Sequence, residues 1–126
     1  MPAAVFSFNK IKSYLDENIS SIYGLEVPLY SDKLRVAGRV DCFCLWDNKL
    51  SIVDFKTSRS NKEKDSIHNY FLQSAAYAYM IYERTGKVPS NIVIVMTIDD
   101  GDGKIFVEKP RDWIQKFIDL RNSVDL

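Results

Sequence analysis

Gly38-Arg39-Val40-Asp41-Cys42-Phe43-Cys44-Leu45-Trp46, the pair Asp47-Asn48, and Leu50-Ser51-Ile52-Val53-Asp54-Phe55-Lys56-Thr57 decide how this chain is read. Two apolar runs joined by an Asp-Asn pair predict a β-hairpin. Each run also carries a carboxylate where a strand with only a structural task would take an apolar or neutral residue. Side chains alternate along a strand, so Asp54 and Lys56 leave one face together while Val53 and Phe55 leave the other. If the neighbouring strand brings Asp41 to the same end of the sheet, two carboxylates and an ammonium converge. That set suits a hard divalent cation beside an activated water.

Working outward, Ser7 can cap a helix running to about Ile19, with Phe8, Ile11, Leu15 and Ile19 (or Ile22) as its apolar stripe. Residues 23–30 read as extended. Pro28 cannot donate to a ladder, which assigns that strand to an edge, and Glu26 lies within it. Ser31-Asp32 turns the chain into the strand over 34–45. Beyond the hairpin, 58–69 is polar and without periodicity, a connecting loop. A helix is predicted over 70–84, ended by Gly86 and Pro89. The β-branched run 91–98 predicts a strand buried on both faces and central in its sheet. Asp99-Asp100-Gly101-Asp102-Gly103 turns into a short strand over 104–108, and Trp113, Ile114, Phe117 and Leu120 mark a closing helix. The order is α-β-β-β-α-β, with an extra short strand and a C-terminal helix. An α/β fold with a mixed sheet flanked by helices is expected.

Composition bounds the function. With 126 residues, 46% hydrophobic and 27% charged, the expectation is a single domain over 1–126. Zero formal net charge gives the whole chain no general attraction for polyanions, so any nucleic-acid contact needs a local basic patch. No run has the length of a membrane span, and residues 1–6 lack the pattern of a secretory signal. A cytoplasmic location is therefore expected, in the host if the source is viral. Cys42 and Cys44 stand two apart on one strand, poorly placed to join each other, and no other soft ligands accompany them. They read as buried free thiols.

The triplet Asp-x-Lys occurs three times, at Asp47/Lys49, Asp54/Lys56 and Asp102/Lys104. The first and last belong to hairpin turns. Asp54 and Lys56 interrupt a β-run, where ionised groups are costly unless they meet a metal or each other. Gln73 and Tyr77, four apart, share one helix face.

Gly38-x-x-Asp41, Asp54-x-Lys56-Thr57 and Gln73-x-x-x-Tyr77 resemble the PD-(D/E)XK nuclease superfamily in its RecB-type branch. The likeness runs from about Gly24 to Leu120 and is closest to the mitochondrial genome maintenance exonuclease and its small bacterial and phage relatives. The resemblance implies a restriction-endonuclease-like core and a metal-dependent DNA exonuclease that prefers single strands or free ends, in DNA repair, recombination or replication. A structure-selective or restriction-type endonuclease on the same core is the alternative, and a non-catalytic nucleic-acid-binding module a further one. By the same likeness, Asp41, Asp54 and the Phe55 backbone carbonyl, with Glu26 as a supporting ligand, would hold Mg²⁺ or Mn²⁺ in its place. Lys56 would orient the attacking water and offset transition-state charge, and Gln73 and Tyr77 would position the phosphate or the water. Arg39, Thr57, Ser58, Arg59, Lys62 and Lys64 are candidate contacts to the strand. Many RecB-type relatives carry a metal-binding His ahead of the first strand. His68, the sole histidine, follows Lys56 and reads as a solvated residue near a helix start.

Overall fold

Alternating apolar residues in the first half of the chain build three successive strands, β1 (Ile19–Ser31), β2 (Val36–Trp46) and β3 (Lys49–Ser58). The computed structural model describes residues 15–58, 64–98 and 103–124. Asp47 and Asn48 have φ of 51° and 63°, so the hairpin closes on a two-residue turn with both central residues left-handed. Its right-handed twist matches that of the strands it joins.

Helix α1 (Lys64–Thr85) carries the chain across the sheet to β4 (Asn91–Ile98), which is followed by β5 (Gly103–Glu108), a 3₁₀ turn (Pro110–Asp112) and α2 (Ile114–Asn122). The sheet order is β1-β2-β3-β4-β5. Only β3 and β4 run parallel, because only they are joined by a helical crossover; every other neighbouring pair is antiparallel. The mixed α/β sheet is as the sequence indicated. Pro28 lies on β1, the edge strand, facing Arg39 across its one ladder.

Two apolar layers hold the sheet. On the α1 side, Ile67, Phe71 and Ala75 pack on Ile92, Ile94 and Met96, while Ala76, Tyr77, Met80 and Ile81 pack with Leu29, Val40 and Ile52. On the other side Cys42, Cys44, Trp46 and Val53 meet Val93 and Val95, with Leu15 and Ile19 laid against them. Both cysteines are buried and free. Residues Ile92 to Met96 are essentially sealed on both faces, as their β-branched run predicted. The middle of the sheet, however, is β3; β4 is interior, between β3 and β5.

Two element boundaries, the starts of α1 and of β1, differ by four or more residues from the reading of the sequence. α1 begins at Lys64 rather than at 70, because Ile67, Phe71 and Ala75 form an i, i+4, i+8 stripe that β4 buries. Lys64 is thus helical and not part of a loop. Ile22 belongs to β1 and is exposed, so it is no part of a helical stripe; residues 15–18 are helical and the strand starts at Ile19. Most of the helix expected from Ser7, the loop residues 59–63 with Arg59 and Lys62, and the turn 99–102 lie outside the described residues.

Candidate active site

The site forms where the β2–β3 ladder ends. Their pairing runs from Trp46↔Lys49 to Cys42↔Val53 and stops there. The next rung would set Asp41 opposite Asp54, and facing residues of an antiparallel pair share a face. Instead of a backbone carbonyl, Asp41 Oδ2 accepts the Phe55 N–H at 2.8 Å. The carboxylate thereby caps the broken ladder. β2 changes face at the same point: Val40 packs on the α1 side, whereas Cys42, Cys44 and Trp46 pack on the other.

Asp54 is buried, 3% exposed, in the floor of this opening. Lys56, next on the same face, holds Nζ 3.0 Å from Asp54 Oδ2. That distance makes an ion pair, but the contact is out of line for a hydrogen bond, so the buried Oδ2 has no hydrogen-bond partner. Burial pushes the Asp54 carboxyl up to about 6, the neighbouring Asp41 carboxyl adds to the rise, and Lys56 opposes it.

α1 braces both strands. Lys56 Nζ donates to Gln73 Oε1 at 3.1 Å and stands 4.9 Å over the Tyr70 ring. One turn further along α1, Tyr77 is buried and its ring packs on Gly38; a Cβ built at Gly38 would lie 2.5 Å from Tyr77 Cε1. Only a residue without a side chain lets the helix approach so closely. Burial raises the Tyr77 hydroxyl above its ordinary range, and the charge of Asp54 adds to the rise, while the Arg39 backbone N–H acts in the opposite direction. Gln73 therefore meets the β3 end of the site, and Tyr77 meets β2 three residues before Asp41.

The remaining sequence candidates are less closely gathered. Glu26 lies between Leu25, paired with Cys42, and Val27, paired with Val40, so it is level with Asp41. It is exposed, with φ of 50°, and no group of three or more His, Cys, Asp or Glu able to hold a metal occurs among the described residues. Glu26 therefore does not complete such a group with Asp41 and Asp54. Arg39 and Thr57 are exposed beside the site, Ser58 ends β3 and Lys64 opens α1. His68 lies on α1 with its ring edge-on to Trp113, centroids 4.7 Å apart. Tyr70 and the tight Gly38–Tyr77 contact were not singled out from the sequence. A glycine within a strand run is the signal that could have found the second.

Comparisons with known proteins agree with this arrangement. A model of the PD-(D/E)XK nuclease superfamily matches residues 2–119. Over 73 residues, 58% of this chain, the sequence is 29% identical to one of the subunits of the ATP-dependent helicase/nuclease from Clostridium botulinum (strain Alaska E43 / Type E3), and the match covers 5% of that protein. A solved structure from Eubacterium rectale, provisionally named an exonuclease, superposes on 97% of this chain and 50% of its own with a TM-score of 0.67 at 15% identity. A second, named by a locus alone, covers 98% of this chain and 59% of its own with a TM-score of 0.53 at 16% identity. These two likenesses establish the fold. The chain spans between half and three fifths of the two solved proteins and a small part of the helicase/nuclease relative.

Proposed function

This chain belongs to the PD-(D/E)XK nuclease superfamily, and from that premise we propose that it is a metal-dependent DNA exonuclease acting on single strands or free ends. The observation that carries the reading is the buried Oδ2 of Asp54, which meets the Lys56 ammonium in an ion pair at 3.0 Å but has no hydrogen bond, with Asp41 beside it. An ion pair with only a structural task would be expected to hydrogen-bond that oxygen as well. A second carboxylate next to it raises the cost of charge further, and cations offset that cost.

The residues fit a hard divalent ion. Asp41, Asp54 and the Phe55 carbonyl offer oxygen donors only, the kind Mg²⁺ or Mn²⁺ takes. When bound, such an ion polarises a phosphodiester and lowers the pKa of a water molecule. Lys56 contributes separately. Its Nζ is held between Asp54 and Gln73, a fixed positive charge that can orient the attacking water and stabilise the negative charge developing on the phosphorus oxygens. Tying that ammonium to a neutral amide oxygen leaves its charge in place. Tyr77, packed on Gly38, is a positioning residue that sets the β2 end bearing Asp41. Arg39 and Thr57, exposed on either side, are the described candidates for steering the strand's phosphates.

The exonuclease preference draws on the name of the Eubacterium rectale neighbour, and action on nucleic acid agrees with the name of the helicase/nuclease relative. No described helix is long and apolar enough to cross a membrane. The free, buried Cys42 and Cys44 suit a reducing compartment such as the cytoplasm. The test is a time course on end-labelled single- and double-stranded DNA, linear and covalently closed, with and without Mg²⁺. Metal-dependent loss of linear strands with circles left intact is expected. Nicked circles would shift the assignment to an endonuclease, and no cleavage with any divalent metal would refute catalysis.

A further inference from the structure

Next to Gln73 and Tyr77 a groove of about 290 Å³ opens between α1, α2 and the start of β2. We propose that it receives one unpaired nucleobase of a DNA strand whose backbone lies across Asp54 and Lys56, an inference that rests on the nuclease reading above.

Continuity with the site is the first argument. Gln73 lines the groove and also accepts the Lys56 hydrogen bond, and Tyr77 lines it while packing on the glycine three residues before Asp41. Whatever occupies the groove is therefore a close neighbour of the phosphate that Lys56 would meet. The second argument is chemical. Ala37, Ala76, Met80 and Phe117 make apolar walls, Asn69 and Gln73 add carboxamides, and none of the lining residues is charged. A phosphate or a metal ion finds no counter-charge here, whereas a base presents an apolar face and an edge of mixed donors and acceptors that carboxamides match.

Size is the third argument. The volume lies at the lower end of ligand sites, which run from about 300 to 1,000 Å³, and so suits a single flat ring system rather than a stacked pair. The small side chains of Ala37 and Ala76 keep it open. A base within a duplex would first have to leave its stack and its partner, at a cost that a single strand or a frayed end does not bear. The groove thus supplies a physical source for single-strand preference at a distance from the metal ligands.

The test measures binding without turnover, using the Asp54→Asn protein and single-stranded oligonucleotides in which one abasic site is moved stepwise along the strand. At one position the missing base should weaken binding about ten-fold, the scale of the contact that one base makes. Ala37→Leu, which fills the groove from an exposed strand position, should bind the intact strand as weakly as the abasic one and no longer distinguish them. Asn69→Ala, at an exposed helix position where folding is not at risk, should shrink the same abasic penalty. A flat abasic scan, or an Ala37→Leu protein that keeps the position-specific penalty, overturns the groove assignment. Cleavage by the unaltered protein separates the two readings: if it cleaves while the scan is flat, the nuclease stands and the groove fails. If it cleaves nothing, both fall.

Discussion

The same three-residue spelling occurs at opposite ends of β3 and meets opposite fates. Asp47 lies in the hairpin turn and Lys49 directly after it, both exposed to water, and Asp47 takes up a left-handed backbone that closes the ladder. Asp54 and Lys56 stand at the other end, where the β2–β3 ladder has stopped and α1 covers the face. Asp54 is 3% exposed there and its carboxyl is pushed up to about 6. Charge at the turn is solvated and of little consequence; charge at the open end is buried, incompletely partnered and chemically poised. Spelling alone does not separate the two. Depth in the sheet does.

The largest effect that tests this contrast is on turnover. Asp54→Asn keeps the shape of the side chain and removes an anionic ligand, so metal-dependent cleavage should fall to background, measured on a labelled single strand. A parent-like rate would remove Asp54 from the site. Next in size, Lys56→Ala should lower the rate by about two or more orders of magnitude while calorimetric Mn²⁺ affinity stays near that of the parent. Equal loss of binding and rate would make Lys56 a structural partner of Asp54.

A stability measurement sharpens the same contrast. Since the folded-state pKa of Asp54 is raised, its favourable contribution is complete below about pH 4 and is lost as pH rises through about 6. Metal-free Asp54→Asn and parent should therefore melt together near pH 4. At pH 7 the variant should be the more stable by up to about 3 kcal/mol, each pKa unit being worth about 1.4 kcal/mol. Divalent metal should close the gap by stabilising the parent alone. A constant difference across this range would contradict the assigned burial.

Packing is tested by Gly38→Ala, whose methyl group would press into the Tyr77 ring. Overpacking of this kind costs about 1–3 kcal/mol. In a Tyr77→Leu background the cost should largely vanish, and a double-mutant cycle by denaturant melts reads the coupling. The smallest effect is expected at the turn. Asp47→Asn, which tolerates the left-handed backbone well, should leave cleavage unchanged and shift stability by less than about 0.5 kcal/mol.

Much of this molecule follows from the sequence alone because the signals are local. The Asp47-Asn48 turn, the double-sided burial of 92–96, the edge position of Pro28 and the pairing of Asp54 with Lys56 on one face all depend on backbone preference and alternation, which neighbouring residues determine. What only the tertiary structure decided depends on residues far apart in the chain. Helix α1 extends back to Lys64 because β4 buries Ile67 and Phe71, and no local propensity encodes that contact. The change of face at Asp41, the hydrogen bond from Phe55 to its carboxylate, the link from Lys56 to Gln73 and the seating of Tyr77 on Gly38 arise where strands and helix meet. Glu26 marks the limit of the pattern. Its register is level with Asp41, but it is exposed, with a left-handed backbone, and outside any cluster of three ligands among the described residues. Alternation specifies which side of a strand a residue leaves. The approach of other elements specifies what it meets there.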